Sequence, residues 1–278
     1  MVCAGGADDG RGRSARGIAE GGDALDLFDL KGRVAVVTGG NGGIGLGMAR
    51  GLARAGAAIA VAARNQEKSR RAVEELAELG VQAMAVAVDV ALEPSVTDMV
   101  KAVVDRFGRL DVLVNNAGIN IRKPPQDLAL EEWHEVMDTN LTSAFLASRQ
   151  VYPLMKAQGG GKIINIGSMM SIFGAPFVTA YGPSKGGIVQ LTKVCATAWA
   201  RDNIQVNAVL PGWIETDLTT RARAEVSGLH ERVLARTPTG RWGTIADMEG
   251  VAVFLASPAS DFVTGTAIPV DGGFSTLG

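Results

Sequence analysis

Arg33-Val34-Ala35-Val36-Val37-Thr38, followed at once by Gly39-Gly40-Asn41-Gly42-Gly43-Ile44-Gly45, is the stretch that decides the fold. A short apolar run ending in glycines reads as a buried parallel strand that turns sharply into a helix. The helical pattern follows directly, with Ile44, Met48, Leu52 and Ala55 on one face. Glycines let the backbone turn tightly and approach a pyrophosphate. The helix N-terminus then presents free N–H groups and the positive end of its dipole. The spacing here is G-x-x-x-G-x-G (Gly39, Gly43, Gly45), not G-x-G-x-x-G. By itself the turn reads either as a dinucleotide cradle or as a structural glycine turn.

Outward from this unit the alternation repeats. AAIAVAAR (57–64) is a second strand, followed by a helix through Val73, Leu76 and Leu79. VQAMAVAVDV (81–90) is a third strand, and a helix runs from about Pro94 to Phe107. RLDVLVNNAG (109–118), GKIINIGS (161–168), NIQVNAVLPG (203–212) and TAIPVDGG (266–273) complete seven strands. Strands alternating with helices imply βαβ units and right-handed crossovers. The expected fold is α/β, a single doubly wound Rossmann domain over 27–278 with a mostly parallel seven-stranded sheet. Residues 213–243 break the rhythm, being charged and weakly periodic, and read as a lid-like helical insertion. Residues 1–26, rich in Gly, Ala, Arg and Asp without an apolar period, read as a poorly ordered extension.

Composition narrows the class. The chain has 278 residues, 47% of them hydrophobic, and a formal charge of −2. That charge offers no basic face for nucleic acid. No apolar run reaches the about 18 residues a membrane span needs, and no apolar stretch follows the N-terminal arginines. Cys3 in the tail and Cys195 in a helix read as free thiols, which points to a reducing, cytoplasmic setting. His134 and His230 lack ligand spacing, so no metal site is expected.

The second chemical signal is Tyr181 and Lys185, four residues apart and so one turn apart on a helix face. Pro183 between them is tolerated only near a helix start, which puts Tyr181 in the first turn. A phenol is a poor base at neutral pH, but a nearby ammonium favours the phenolate. A shift of about three units takes roughly 4 kcal/mol of differential interaction. Such a pair on its own is usually surface decoration. Ser168 strengthens it, because it ends the fifth strand at the carboxyl edge where such sheets bind ligands. Its hydroxyl can hold a carbonyl oxygen and the alkoxide that develops there. Tyr181 would then be general acid or base at that oxygen, with Lys185 lowering its pKa.

TGGNGGIG (38–45), DV (89–90), NNAG (115–118), Asn140, Ser168, YGPSK (181–185) and PG (211–212) together resemble the short-chain dehydrogenase/reductase family, in its order and from Leu27 to the C-terminus. The resemblance implies a catalytic set of Asn140, Ser168, Tyr181 and Lys185, with Asn140 holding a water in a relay to Lys185. It implies hydride transfer with a nicotinamide cofactor, held at Gly39, Asn41, Gly43, Ile44, Gly45, Asp89, Val90, Asn116, Ala117, Gly118, Tyr181, Lys185, Pro211, Gly212 and Ile214, with Asp89 at the adenine edge and Lys185 on the nicotinamide ribose. A family member with an acid at the end of the second strand would repel a 2′-phosphate; here Ala63 stands there, followed by Arg64. Arg64 therefore reads as a phosphate contact, with NADP(H) preferred and NAD(H) the second choice, or else as a solvated loop residue. Family members of this kind are usually homotetramers, packed through the region of the last strand.

Within the family, LFDLKGRVAVVTGGNGGIG (27–45), NNAGINIRKP (115–124), SMMS (168–171) and RTPTGRWGT (236–244) are similar to sugar-acid enzymes, the gluconate 5-dehydrogenases and 2-keto-3-deoxygluconate (2-deoxy-D-gluconate) dehydrogenases. Arg122 then reads as a bidentate clamp for a substrate carboxylate, or as a loop arginine. Trp213 and Trp242 flank the lid and either close over a substrate, with Ser168 and Tyr181 beneath, or simply pack. A 3-oxoacyl-carrier-protein reductase remains the rival, since Arg221, Arg223, Arg232 and Arg236 could offer a basic patch to an acidic carrier. A non-catalytic nucleotide-binding scaffold is the third reading, disfavoured by the complete catalytic set.

Overall fold

The computed structural model describes residues 24–277, so the expected extension and Cys3 lie outside the described residues, apart from the 3-10 turn Ala24–Phe28. The first described element thus begins three residues before Leu27. Seven strands form one sheet: β1 (Val34–Thr38), β2 (Ala58–Ala63), β3 (Ala83–Ala87), β4 (Val112–Asn115), β5 (Gly161–Ile166), β6 (Ile204–Pro211) and β7 (Ala267–Val270). Their order is β3-β2-β1-β4-β5-β6-β7, and every pairing is parallel. A mostly parallel sheet is expected from the sequence; the described sheet is wholly so. The long connection from β6, residues 212–266, is largely helical and returns the chain to run β7 in the same sense.

The strands are apolar on both faces because helices cover both. On β1, Ala35 and Val37 face the layer of α1 (Gly43–Arg54) and α9 (Glu249–Ala256). Val34 and Val36 face the layer of α3 (Glu93–Phe107), α5 (Ser143–Ala157) and α6 (Tyr181–Trp199). The same alternation runs through β2, with Ile59 and Val61 on one side and Ala60 and Ala62 on the other. α1 lies unusually close to its neighbours. A Cβ on Gly47 would sit 2.2 Å from the Ile245 carbonyl oxygen, and one on Gly51 would sit 2.7 Å from that of Glu249. Those two glycines are therefore required by contact, not by turn geometry.

α2 (Gln66–Ala77) starts where the Asn65 side chain accepts from Lys68 N at 2.9 Å. The lid stretch folds as two helices, α7 (Asp217–Glu225) and α8 (Leu229–Arg236), in line with a helical insertion. Its base is clasped by backbone: Gly243 N donates to Trp213 O at 2.9 Å, and Glu215 N donates to Gly243 O at 2.8 Å. The expected limits of 213 and 243 coincide with this clasp. Among the described residues no helix is long and apolar enough to cross a membrane.

Candidate active site

The strand order reverses between β1 and β4, and the crevice at such a switch point is where open α/β sheets take ligands. Thr38, at the end of β1, ties the two strands together. Its Oγ1 accepts from Asn116 N at 3.0 Å and Ala117 N at 3.1 Å, and donates to Val114 O at 3.2 Å. Asn116 returns the contact through Nδ2, which donates to Thr38 O at 2.9 Å and Gly39 O at 3.2 Å. The turn between is held in left-handed backbone at Gly39 (φ 64°) and Gly43 (φ 52°). A Cβ on Gly45 would fall 2.5 Å from both Asn116 Nδ2 and Gly39 O. The glycines are thus needed for the fit of the turn against the β4 loop, leaving its outer face as a bare backbone cradle at the start of α1.

Several residues expected at the cofactor are already partly engaged. Asn41 Nδ2 donates to Asn65 O at 3.2 Å and Ser69 Oγ at 3.1 Å, pinning the turn to α2. Asp89 Oδ1 accepts from Ala91 N at 3.1 Å, shaping the loop after β3. Val90 is 9% exposed and Ile214 3%, and both side chains sit in the apolar core. Both side chains pack in the core, so any contact either residue makes with a ligand would come from its backbone. Pro211 ends β6, and Gly212 packs on the C-terminal segment, where a Cβ would lie 2.6 Å from Asp271 Cα. Ile44 is half-buried on α1, Gly118 is exposed, and Arg64 is exposed with no ion pair or hydrogen bond among the described residues.

The expected catalytic side chains converge at the ends of β4 and β5. Tyr181 is the first residue of α6, with Pro183 inside its first turn, as the sequence implies. Lys185, 4% exposed, donates from Nζ to Ile166 O at 2.7 Å and stands 5.7 Å from the Tyr181 ring centroid. Burial pushes its ammonium down to about 8. Burial also pushes the Tyr181 phenol up, while the Ser168 hydroxyl and the Arg122 charge pull it down. Ser168 Oγ accepts from Met170 N at 3.1 Å, which leaves its own proton for the Tyr181 oxygen beside it or for a substrate oxygen.

Asn140 does not sit in a regular helix. It occupies a π turn, Asp138–Thr142, between α4 (Leu130–Met137) and α5. Its side chain pairs twice with Ile119, accepting from N at 2.8 Å and donating to O at 2.9 Å, and donates to Ser184 Oγ at 3.0 Å. Ser184 Oγ donates to Tyr181 O at 2.8 Å. These bonds use both Nδ2 protons and one Oδ1 lone pair, which leaves the second lone pair for a further donor. The side chain also locks the β4 loop to α6. A Cβ on Gly118 would lie 3.2 Å from Asn140 Oδ1 and 3.5 Å from Lys185 Nζ, so a side chain here would press on the Asn140 amide.

Four residues of this corner were not singled out by sequence: Thr38, Ser171, Ser184 and Glu225. Ser171 Oγ accepts from Ser168 N at 3.1 Å and donates to Lys185 O at 2.7 Å, so one hydroxyl braces both candidate catalytic residues. A serine three places after Ser168 is a local turn signal that could have pointed to it. Glu225 pairs with Arg122 across 103 positions, for which no sequence signal exists. Arg122 is thus bound to α7. Trp213 stacks edge-to-face on Trp242 at 5.5 Å; Trp242 is buried and Trp213 half-buried at the base of the lid. Of the lid arginines, Arg223 pairs with Glu215 at 3.0 Å and stacks on Trp242, and Arg236 lies between Phe173 and Phe274. These contacts engage two of the four arginines that a carrier protein would use.

Comparison with known proteins agrees with this geometry. Residues 39–275 match the family model described as enoyl-(acyl carrier protein) reductase. The 2-dehydro-3-deoxy-D-gluconate 5-dehydrogenase of Formosa agariphila is 41% identical over 257 residues, covering 92% of this chain and 97% of that protein. The gluconate 5-dehydrogenase of Gluconobacter oxydans is 39% identical over 250 residues, covering 90% and 97%. A crystal structure of gluconate 5-dehydrogenase from Burkholderia cenocepacia in complex with NADP and tartrate superposes with a TM-score of 0.87 at 42% identity, covering 91% of this chain and 99% of that one. On sheet, crevice and kinship alike, this chain belongs to the short-chain dehydrogenase/reductase family and is an NAD(P)-dependent oxidoreductase that interconverts a secondary alcohol and a ketone.

Proposed function

We propose that the protein oxidises and reduces a sugar acid or closely related polyol at one secondary carbon, with NADP(H) as the preferred cofactor and NAD(H) as the second. The observation that carries the reading is the corner where Lys185 Nζ, held by the Ile166 carbonyl, faces the Tyr181 ring with Ser168 and Arg122 beside it. Relatives named for gluconate and 2-dehydro-3-deoxygluconate support the substrate class. The bare cradle of Gly39–Gly45 fits a pyrophosphate, because a Cβ at Gly39 or Gly45 would meet Asn116 within 3 Å and the backbone is left exposed to a ligand. Arg64, exposed and unpaired among the described residues, is suited to a 2′-phosphate.

A nicotinamide, when bound, supplies or takes the hydride. The remaining work falls to side chains. Ser168 donates its hydroxyl proton to the substrate oxygen and orients it. Tyr181 gives a proton to that oxygen in reduction and removes one in oxidation. Lys185 lies close enough for its charge to favour the phenolate. Asn140 and Ser171 hold the loop and helix that carry these groups. Arg122 faces the carboxylate of the acid.

The reading extends to a cytoplasmic homotetramer, in keeping with a buried free Cys195 and a fully exposed Phe262 shortly before β7. Light scattering that returns a monomer removes the tetramer. For the reaction, kcat/KM is measured with NADPH and NADH on sugar acids, polyols and acetoacetyl thioesters, following the absorbance of the reduced cofactor. Sugar acids should lead the panel. A thioester preference of tenfold or more overturns the substrate class.

A further inference from the structure

Arg122 Nη1 donates to Glu225 Oε2 at 2.7 Å, and Nη2 donates to Leu218 O at 3.2 Å. Both partners belong to α7. The cation that faces the substrate's carboxylate in the proposed function is therefore already holding a carboxylate of this chain. We propose that Glu225 is an internal carboxylate that occupies Arg122 in the substrate-free enzyme and yields it to the carboxylate of the substrate, so that lid release and selection for acids share one ion pair. The proposal rests on the sugar-acid reading above.

The two partners are unequal. The Arg122 side chain is 14% exposed and that of Glu225 52%. A guanidinium so covered needs an anion in every state, because an uncompensated buried charge is costly. The carboxylate at the rim recovers its hydration when it swings out, and a pair exposed on one side is held weakly. Exchange of one carboxylate for another therefore changes little in energy at Arg122. A neutral ligand offers no such replacement and leaves Glu225 in place.

The position of the pair gives the exchange its consequence. Arg122 acts on the Tyr181 phenol, so it lies within electrostatic reach of the chemistry. Glu225 is the last residue of α7. At the other end of this helix, Thr216 packs against the glycine turn, its methyl 3.3 Å from where a Cβ on Gly43 would lie. Lys68 and Asp217 pair nearby at 3.2 Å, but both are exposed. α7 thus bridges the cofactor turn and the loop after β4, and the Arg122 pair is what joins its far end to that loop. Once Glu225 is displaced, that end loses its tie to the loop after β4 and is held by the Arg223 contacts with Glu215 and Trp242, while the clasp at Trp213, Glu215 and Gly243 stays shut.

The test uses Glu225→Gln, which keeps the shape and removes the charge. Amide hydrogen exchange over 217–236 is measured without substrate, and tartrate and sorbitol affinities are read from the fluorescence of Trp213 and Trp242. Lid exchange should rise several-fold. Tartrate should bind about fivefold tighter, which is ~1 kcal/mol at 1.4 kcal/mol per tenfold, and sorbitol should be unchanged. Arg122→Gln should raise lid exchange to the same level, and the double variant should add nothing further. Unchanged lid exchange, or equal tightening for sorbitol, overturns the proposal. The two readings fail separately. Wild-type enzyme that turns over polyols and no sugar acid defeats the substrate class, whereas the substrate-free exchange experiment decides the Glu225 contact alone.

Discussion

Lys185 reaches back from α6 to the end of β5, where its Nζ donates to the Ile166 carbonyl at 2.7 Å. The strand end thereby fixes the ammonium beneath the Tyr181 ring. Among the described residues no carboxylate shares this contact, so the charge is held by one carbonyl dipole in a buried place. That arrangement favours chemistry over stability, and it has a measurable cost.

Burial lowers Lys185 from an ordinary 10.5 to about 8. Between those values the unfolded chain binds the proton more than the native one, so stability rises with pH there. Below pH 8 the full cost stands. Lys185→Met should therefore stabilise the protein at pH 7 by about 1–3 kcal/mol, the lost Ile166 contact offsetting part of the gain. The gain should shrink as pH rises from 8 and vanish above 10.5. Urea midpoints of both proteins at pH 7 and at pH 10.5 check it; a variant less stable at pH 7 contradicts the cost.

Tyr181→Phe removes the proton and keeps the ring. We expect kcat to fall at least about a hundredfold, within the range for a general acid or base, while cofactor affinity stays near normal. Single-turnover rates and cofactor titration read the two effects apart. Full activity in the variant takes Tyr181 out of the proton path.

Ser171→Ala deletes the hydroxyl that accepts from Ser168 N and donates to Lys185 O. It should cost about 1–3 kcal/mol of stability through the unpaired groups. Beyond that, kcat should fall about tenfold, equivalent to ~1.4 kcal/mol in the barrier, with little change in KM, and Ser171→Thr should restore most of it. A purely structural role would lower the melting temperature with kcat intact, so the kcat-against-KM split decides.

Arg64→Ala leaves the crevice intact and removes the exposed guanidinium. Loss of a charge-assisted contact of about 1.5–3 kcal/mol should lower kcat/KM for NADPH by about ten- to a hundredfold and leave NADH nearly unchanged. Wild-type enzyme that prefers NADH tenfold or more would falsify the phosphate contact.

Much of this protein is local and so legible in its sequence. Apolar runs and glycine punctuation are properties of neighbouring residues, and they place β1 at 33–38 against the observed Val34–Thr38, and β6 at 203–212 against Ile204–Pro211. Pro183 places Tyr181 in the first turn of α6 for the same reason, since a proline's constraint reaches only one turn. The Tyr181–Lys185 spacing, Ser168 at a strand end and the glycine turn are likewise short-range features.

Tertiary structure decided the rest, because it depends on which distant groups packing brings within 3 Å. Asn140 reads as a helix residue, yet a π turn aims it at Ile119 and Ser184. Ile214 and Val90 follow cofactor motifs in the chain but are turned into the core by the sheet's apolar demand. Arg122 carries its charge in the sequence, whereas its partner is set by where α7 lies across the loop after β4. Residue type and spacing determined the reaction this protein can perform. Long-range contact decided which side chains are free to perform it and which are already held.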